Sequence, residues 1–481
     1  MKKASFYQTA NILTGYSIFI FFLAIFATHQ INFKHETFFI TTALLIYTVY
    51  TFLYHFSHNL SVKKVLPCFF STIISVFMIF YIINTGAEIH EDTSSYTLFQ
   101  PMRYVIYPIF LFFFRHIVVS DILMLVTNAS LGIISAYLLS NFILKKSFPD
   151  NFHLPVIFLI LLMPYLRIFP PAYSLANVLI AESIAYALFL LFIYALCKLI
   201  DHDFRAKNIL FFNMTILLIL LTRGQFTYSL YLVIFILVIF LFIKKHPNKF
   251  KFLYIFLISA IVLNFIQITY SYLTIGVLKT SAVGGVQLTG RAFFVSKQRD
   301  TALFTGNEKR IYKEISDSLD AKKLRYNPIA FDKYPYDYFK TYEQIIWDVG
   351  FSILKKHQKV YDWHEIDRSS KFFAFKIIRS NSADYIKTAL TDLKTTSWGI
   401  INFLDYLILD FFLIVLFGVF YFIKKDSSYL IITLVLIMQA SQIILVTLTV
   451  SPGYRFVFYY DFVFLIIVIL FANYLLKKHL S

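Results

Sequence analysis

The stretch Ala87–Pro108, AEIHEDTSSYTLFQPMRYVIYP, is a polar segment in a chain that otherwise consists mainly of long apolar runs. Its acidic and basic side chains are those of Glu88, His90, Glu91, Asp92 and Arg103. The apolar run before it is long enough to span a bilayer, which places the acidic residues just beyond the end of a membrane-spanning helix. We therefore predict that this loop is an active-site segment, at the level where a membrane enzyme meets a lipid-linked substrate.

The composition excludes an ordinary soluble protein. Of the 481 residues, 59% are hydrophobic and only 15% are charged, whereas soluble domains carry roughly a quarter charged residues. The chain is therefore expected to be an all-α polytopic membrane protein. Its net charge of +17 does not indicate nucleic-acid binding, because the basic residues follow a membrane topology. Cys68 and Cys197 lie in apolar runs and match neither a disulfide framework nor a metal-binding spacing.

Runs of about 20 apolar residues, the length that spans a bilayer, predict about twelve transmembrane helices. They lie near residues 9–28, 37–57, 65–84, 119–143, 153–168, 177–199, 208–223, 226–243, 252–276, 401–423, 428–450 and 455–476. The first is expected to be a retained helix, because it lacks the small-residue site of a cleaved signal peptide. Only Arg223-Gly224-Gln225 separates the seventh run from the eighth. The two runs could form a tight hairpin or one broken helix, so the number of transmembrane helices also stays open.

Lysines and arginines in the short loops are strongly biased toward one side of these spans. That side holds Lys2, Lys3, Lys63, Lys64, Lys145, Lys146, Lys198, Arg205, Lys207, Lys244, Lys245, Lys249, Lys251, Lys424, Lys425, Lys477 and Lys478. The short loops of the other side hold Lys34, Arg103, Arg115, Arg167, Arg223 and Arg455. By the positive-inside rule, both termini are predicted to be cytoplasmic and the acidic loop extracytoplasmic.

This topology divides the chain into three regions. Residues 1–276 form a transmembrane domain that carries the external loop 85–118, residues 277–400 form a small, mainly helical external domain, and residues 401–481 form the carboxy-terminal transmembrane helices. The external domain is expected to pack on the membrane surface above the acidic loop, because its aromatic residues suit an interfacial position.

Local patterns predict the elements of the external regions. Thr280–Phe294 is rich in glycine and small residues and is predicted to be a loop. Helical periodicity predicts helices at Glu308–Lys323, Tyr336–His357 and His364–Trp398. Residues 98–117 favour a juxtamembrane helix lying in the interface, and a re-entrant hairpin of 104–114 with 119–143 stays open.

Short strings in the chain resemble those of a known family. Asp92–Tyr96 (DTSSY) has the form Asp-(Ser/Thr)-x-x-Tyr, and Arg103–Pro108 (RYVIYP) follows it. Together they resemble bacterial integral-membrane glycosyltransferases of the GT-C fold, whose relatives include protein O-mannosyltransferases and lipid A aminoarabinose transferases. Further strings fit the family in the same order: Leu179–Ser183 (LIAES), Leu221–Arg223 (LTR), Gly284–Leu288 (GGVQL) and Gly453–Phe456 (GYRF). The resemblance covers residues 65 to 476 loosely, and the shared order of the strings carries it.

The resemblance implies a sugar transfer at the external face of a bacterial inner membrane. The donor would be linked to polyprenyl phosphate, the acceptor would be a glycan, a lipid or a protein, and membrane lipids would surround the enzyme. Asp92 is implied as the general base, because a carboxylate can take the proton of the attacking hydroxyl. The donor phosphate would be bound by arginines, which stabilise its growing charge: Arg103, Arg223, Arg291 and Arg455. The supporting or metal-binding acids would be Glu88, Glu91 and Glu182, and the acceptor or sugar contacts would be His90, Tyr96 and Tyr107.

The chain departs from the family in three respects. Gly224 follows Leu-Thr-Arg at the position where the family usually has proline. The acidic loop follows the third predicted span, whereas the family usually places it after the first. Thr93 also stands where the family often has a second acid, which leaves a requirement for Mg²⁺ or Mn²⁺ open, and no other cofactor is indicated. Some residues also fit ordinary roles, Glu182 as an acid near a helix amino terminus and Arg223 and Arg455 as interfacial anchors.

Other functional classes stay open. A secondary transporter, or an envelope glycan polymerase or flippase, would also have many spans. Transporters favour internal repeats and polar sites near the midplane, whereas here the ionisable residues gather at external helix ends and the large loop follows the ninth span. A receptor or assembly scaffold that binds a partner through 277–400 would leave the acidic loop without a role.

Overall fold

The computed structural model describes most of the chain between residues 49 and 467. The described residues are 49–51, 53–54, 60–100, 102–147, 152–166, 168–169, 173–280, 284–326, 338–358, 362–395, 397–398, 401–449, 458–460, 462–463 and 467. Within them the chain is almost entirely helical. Two short antiparallel pairs, β1 (Ile168–Phe169) with β2 (Tyr173–Ser174) and β3 (Ser397–Trp398) with β4 (Ile401–Asn402), are the strands of this part.

The helices follow one another in two series. The first series is α1 (Leu60–Thr85), α2 (Thr93–Thr97), α3 (Ile106–Phe112, continued by the π-helical Phe113–Val118), α4 (Asp121–Ser147), α5 (Leu154–Leu166), α6 (Ala181–Asp201), α7 (Ala206–Thr222), α8 (Thr227–Ile243) and α9 (Lys249–Ile275). The second series is α10 (Gly284–Phe294), α11 (Gly306–Ala321), α12 (Tyr338–Gln344, continued by the π-helical Ile345–Phe351), α13 (Ser352–Lys356), α14 (Trp363–Ser380), α15 (Ser382–Thr395), α16 (Phe403–Lys424) and α17 (Ser427–Thr449). Short 3₁₀ turns lie at Gly224–Phe226, Gln298–Leu303 and Phe458–Tyr460.

Seven helices of the described part are long and apolar enough to cross a membrane, by length and composition. They are Val65–Thr85, Asp121–Lys146, Ala181–Asp201, Gly224–Ile243, Lys249–Ile275, Phe403–Lys424 and Ser427–Thr449. The predicted count of about twelve is not confirmed. At 1.5 Å per residue, the 13 residues of α5 extend only about 20 Å, which is less than the roughly 30 Å of a hydrocarbon core, and α7 has 17 residues. The predicted span 9–28 lies outside the described residues, and 37–57 and 455–476 lie within them only in part.

Two large hydrophobic cores organise the described residues, and a small third cluster of Val105, Leu221 and Tyr270 lies beside them. The larger is built from the membrane-length helices, in which α4 packs on α6 and α16 on α17. The smaller lies between Val286 and Tyr385 and is built from α10 to α15. In α11 the buried residues Tyr312, Ile315 and Leu319 recur at intervals of three and four, the spacing that brings side chains to one helix face.

The loop predicted for Thr280–Phe294 is wrong in most of its length, because Gly284–Phe294 is helical. Its glycines allow a close approach to neighbouring helices. A Cβ atom on Gly285 would collide with the backbone carbonyl of Asp367 in α14, and one on Gly290 would press on Ile346. Small residues therefore mark a helix–helix contact here, where the sequence pattern suggested a turn.

The single long helix predicted for His364–Trp398 is also divided. Its first part, α14, ends at Ser380, and α15 begins at Ser382. Asn381 lies between them and donates from Nδ2 to the Asp300 carboxylate at 2.7 Å. Its Nδ2 also donates to the Ile377 carbonyl at 3.2 Å, and such a side-chain bond to the backbone of its own helix competes with helix continuation.

Candidate active site

The acidic loop is tied to the chain that leads into α6. The Glu88 N–H donates to the Asn177 carbonyl at 2.8 Å, and the Leu179 N–H donates to the Glu88 carbonyl at 3.0 Å. Thr93 adds a side-chain bond from Oγ1 to the Leu179 carbonyl at 2.9 Å. The loop is therefore fixed over the amino terminus of α6, although it lies far from α6 in sequence.

One helical turn arranges the Asp-(Ser/Thr)-x-x-Tyr string. Because Asp92 immediately precedes the short helix α2, Ser95 and Tyr96, three and four residues later, lie on the same side of the turn. Arg103 contacts all three residues. Its Nη2 donates to Asp92 Oδ1 at 2.6 Å, its Nε to Ser95 Oγ at 2.7 Å and its Nη1 to the Tyr96 hydroxyl at 3.2 Å.

The Arg103 guanidinium also covers the Tyr96 ring, with Cζ 4.3 Å from the ring centroid. The Asp92 and Arg103 side chains retain 25% and 18% exposure respectively, so the pair lies at the edge of the protein interior and can be reached by a ligand. Ser95 was not predicted as a site residue. Its position three residues after Asp92 is the signal in the sequence that could have identified it.

His90 contacts the same carboxylate from the other side. The Asp92 N–H donates to His90 Nδ1 at 3.1 Å, and Nδ1 lies 3.8 Å from Asp92 Oδ2. Because Nδ1 accepts a hydrogen bond, the neutral ring carries its proton on Nε2. Arg103 thus holds Oδ1 of Asp92, and Oδ2 faces the side of His90.

A second carboxylate–guanidinium pair lies beside the loop. Glu182, in the first turn of α6, is fully buried and forms an ion pair with Arg223, whose side chain is 12% exposed. Arg223 follows α7 in an extended conformation and precedes the 3₁₀ turn Gly224–Phe226. A buried charge of this kind requires its partner, because removing one member leaves the other uncompensated. The structure therefore joins two residues that the sequence placed in separate strings.

Tyr96 contacts the first ion pair and lies within electrostatic range of the second. Burial raises the pKa of its hydroxyl, and the charges of Arg103, Glu182, Arg223 and Asp92 all act on it. The Tyr107 ring packs edge-on against the Tyr96 ring at 4.8 Å between centroids. Tyr107 is fully buried, and its hydroxyl has no hydrogen-bond partner among the described residues. Asp92, Arg103, Glu182, Arg223 and Tyr96 therefore form one cluster, hereafter the two-pair cluster.

Tyr104 holds the loop against the break between α7 and α8. A Cβ atom on Gly224 would overlap the Tyr104 hydroxyl and ring, so only glycine leaves room for that ring. This contact accounts for Gly224 in the Leu-Thr-Arg string, where the family resemblance leads one to expect proline.

The remaining predicted site residues are not members of the two-pair cluster. Glu91 is exposed, and Glu88 contributes its backbone to the contact with α6, while partial burial raises the pKa of its carboxyl. Arg291 of α10 forms a buried ion pair with Asp392 of α15 and does not join the two-pair cluster. Arg455 lies outside the described residues.

A metal site was left open by the sequence. In the part of the chain that the structure describes, no group of three or more His, Cys, Asp and Glu side chains is arranged to hold a metal ion. The Asp92 carboxylate is instead bonded to Arg103. These residues do not make up the carboxylate-rich donor set that Mg²⁺ or Mn²⁺ prefers, and we derive no step through a metal.

The chain was compared with known proteins. No protein-family model matches it, and no curated protein or solved structure does. The family resemblance therefore rests on the residue strings alone.

Proposed function

We propose that this chain is an integral-membrane glycosyltransferase of the GT-C type. It moves a sugar from a polyprenyl-phosphate-linked donor to an envelope glycan, lipid or protein on the external face of a bacterial inner membrane. The proposed topology has about twelve spans, cytoplasmic termini and an external domain at 277–400.

The observation that carries this proposal is the two-pair cluster. Two carboxylate–guanidinium pairs lie near Tyr96, beside the ends of helices that are long enough to cross a membrane. Ionisable residues at membrane depth are functional by default. A lipid-linked donor would present its phosphate at this level and its tail to the bilayer.

Each member of the cluster has a separate role in the proposed sugar transfer. Asp92 Oδ2 accepts the proton of the acceptor hydroxyl as its oxygen forms a bond to the anomeric carbon. The bond from that carbon to the phosphate oxygen breaks, and the polyprenyl phosphate leaves with the electron pair. Arg103 has five N–H donors, of which three bond Asp92, Ser95 and Tyr96, and the others can stabilise the leaving phosphate. Arg223 lies on the other side of Tyr96 and provides the second positive charge.

The proposal is tested by envelope-glycan analysis of a deletion strain complemented with wild type, Asp92→Asn or Asp405→Asn. Asp405 is the matched control, because it is an exposed aspartate in the first turn of α16. We expect one sugar modification to disappear on deletion and to return with wild type and with Asp405→Asn. Asp92→Asn should lower its transfer by at least about 100-fold, since general-base catalysis contributes roughly that much.

All three proteins are compared at equal abundance in the membrane. If Asp92→Asn fully restores the sugar modification, Asp92 is not the general base. An unchanged glycan profile after deletion, under conditions in which the gene is expressed, would contradict the transferase and favour a transport function.

A further inference from the structure

Helix α15 lies where the two large cores of the molecule meet. Its Tyr385 belongs to the smaller core, whereas Leu393, two turns later, belongs to the larger core of membrane-length helices. The helix also packs on α16 and α17, the two membrane-length helices that follow it in the chain. Its position relative to these two helices is therefore fixed by packing.

Hydrogen bonds place α15 across the end of α17. The Tyr385 hydroxyl donates to the Leu448 carbonyl, and the Arg291 guanidinium bridges the Asp392 carboxylate and the Thr447 carbonyl. Tyr385 and Asp392 are seven residues, or about 10 Å, apart along α15, yet they are bonded to neighbouring carbonyls of α17. Because both ends of this stretch meet the same point of α17, α15 crosses over α17 and does not run alongside it.

The length of α17 sets the depth of this contact. Its 23 residues extend about 34 Å, slightly more than the roughly 30 Å of a hydrocarbon core. Thr447 and Leu448 lie in the last turn, so their carbonyls lie at the edge of the hydrocarbon core when α17 crosses a membrane. The headgroup layer beyond that edge is roughly 6 Å thick, which is less than the diameter of a helix, about 10 Å. A helix bonded to these carbonyls therefore lies at headgroup level.

Two flanks of α15 differ in what covers them. The first faces the protein and consists of four buried residues, Tyr385, Thr388, Ala389 and Asp392. Beside it, at 100° per residue, Ile386, Leu390 and Leu393 fall within about 60° of one another. Ile386 and Leu390 are 53% and 50% exposed. Half of each apolar side chain is therefore left for a partner other than this protein to cover.

The third flank of α15 is basic. Lys387 and Lys394 are exposed and lie about 20° apart, beyond the apolar flank as seen from the protein-facing one. The acids of α15 are paired within the protein, Asp384 with Lys297 at 2.7 Å and Asp392 with Arg291. The exposed charge of α15 is therefore positive. An apolar flank beside a lysine-bearing flank is typical of helices that lie in a membrane interface.

We propose that α15 is an interfacial helix that binds anionic phospholipid. Ile386 and Leu390 enter the boundary between headgroups and acyl chains, and Lys387 and Lys394 bind the headgroup phosphates. The inference rests on the membrane crossing of α16 and α17, which is part of the proposed function. The partner is a lipid surface because the apolar flank lies at headgroup level, and the lysines beside it match the negative charge of such a surface. This contact would fix the height of the smaller core above the bilayer.

The test measures the membrane depth of labels on the purified full chain in phosphatidylglycerol bilayers. Single cysteines are introduced at Leu390, Val415 and Lys313 after replacement of Cys68 and Cys197 by alanine. Each is coupled to the same environment-sensitive fluorophore. The quenchers are two lipids, one with a nitroxide close to the headgroup and one with a nitroxide at the end of the acyl chain.

The three positions should respond differently. The label at Leu390→Cys should lose fluorescence with the shallow nitroxide and much less with the deep one. Val415 is 65% exposed and lies midway along α16, so its label should be quenched best by the deep nitroxide. Lys313 is the matched control, because it is an exposed residue of α11 in the smaller core, and neither nitroxide should quench its label.

A second comparison tests the lysines. Shallow quenching of the Leu390→Cys label should be stronger in phosphatidylglycerol than in phosphatidylcholine, because lysines near an anionic surface are attracted to it. Adding Lys387→Gln and Lys394→Gln should abolish this difference between the two lipids. A difference that persists in the glutamine variant would show that these lysines do not bind the headgroup phosphates.

The outcomes distinguish this inference from the proposed function. An unquenched label at Leu390→Cys, or one quenched no more than that at Lys313→Cys, would overturn the interfacial helix if Val415→Cys is quenched by the deep nitroxide. The membrane-spanning helices and the transferase would then stand. An unquenched label at Val415→Cys would contradict the membrane crossing on which the proposed function rests. If Leu390→Cys fails to fold, Ile386→Cys probes the same flank, and an unquenched label there would count equally against the inference.

Discussion

At the scale of single residues, Arg103 determines the geometry of the acidic loop. One planar guanidinium bonds a carboxylate, a hydroxyl and a phenol, and stacks on the phenol ring of Tyr96. Lysine has the same charge but neither the fixed fork of donors nor the stacking surface. The arrangement of Asp92 therefore depends on the shape of Arg103 as well as on its charge.

Arg103→Lys tests that dependence. The ammonium group can reach Asp92 or Ser95 but cannot hold three partners in fixed directions, so we predict a fall in transfer rate of about 100-fold at unchanged protein abundance. The initial rate of sugar transfer is measured with the lipid-linked donor that the glycan analysis identifies. An exposed arginine of α14, Arg368, supplies the control substitution Arg368→Lys, which should transfer at the wild-type rate. Activity within twofold of wild type in Arg103→Lys would show that its charge alone suffices.

The sequence anticipates part of this cluster. Asp92, Tyr96 and Arg103 were all predicted as site residues, and the spacing within Asp92–Tyr96 is enough to place Asp92 and Tyr96 on one turn. The pairing of Glu182 with Arg223 was not predicted, because it depends on how α6 packs against the end of α7. Such long-range contacts leave no periodic signal in a single sequence.

At the scale of elements, the break after α7 positions Arg223. Thr222 ends the helix, Arg223 is extended, and Gly224 begins a 3₁₀ turn. Because the Tyr104 ring occupies the space where a Cβ on Gly224 would lie, the acidic loop and the break support each other. A change at either residue should disturb both.

Gly224→Ala is predicted to reduce transfer by at least about tenfold, because the added methyl group displaces Tyr104 and with it the loop that carries Arg103. The double variant Gly224→Ala with Tyr104→Leu shortens the opposing side chain, and its rate should recover relative to Gly224→Ala. Initial transfer rates are measured for both single variants and the double variant. Additive losses in the double variant would show that the two residues act independently.

Some elements could not be predicted from local pattern. Glycine and small residues in Gly284–Phe294 favoured a loop, yet that segment is helix α10 because its glycines allow contact with α14. Long apolar helices such as α9 and α16 were predicted close to their observed bounds, since their signal is composition over many residues. Composition therefore predicted the long helices well. In Gly284–Phe294, by contrast, the glycines allow close packing between helices and do not mark a loop.

At the scale of the whole molecule, a buried polar contact joins the helices of the smaller core, α10 to α15, to α17. Arg291 forms an ion pair with Asp392 and donates to the Thr447 carbonyl. The Tyr342 hydroxyl donates to Asp392 at 3.2 Å, and the Tyr385 hydroxyl donates to the Leu448 carbonyl. Burial raises the pKa of the Asp392 carboxyl, while Arg291 acts to lower it. This arrangement favours a docking role for Arg291, which the sequence had assigned to the donor phosphate.

A double-mutant cycle separates these two roles. Asp392→Leu alone leaves Arg291 buried without its partner and is predicted to destabilise the protein by about 3–5 kcal/mol. Arg291→Met with Asp392→Leu replaces both charges by apolar groups and should recover most of the loss. Thermal unfolding of the purified protein reports stability, and transfer rate reports function. If the double variant recovers stability but loses transfer activity, Arg291 acts as a ligand of the donor phosphate.

The proposed topology makes a prediction about the whole chain, since it requires the acidic loop and the external region to lie on the same side of the membrane. Single cysteines are introduced at Ser94, Lys322 and Asp426, all exposed positions, after replacement of Cys68 and Cys197 by alanine. In spheroplasts, a membrane-impermeant maleimide should label Ser94→Cys and Lys322→Cys. Asp426→Cys lies in the lysine-bearing turn between α16 and α17 and should react only after the membrane is permeabilised. Labelling of Asp426→Cys in intact spheroplasts, with Ser94→Cys protected, would show that the topology is the inverse of the proposed one. The two-pair cluster would then lie on the cytoplasmic face, where an externally acting transferase could not work.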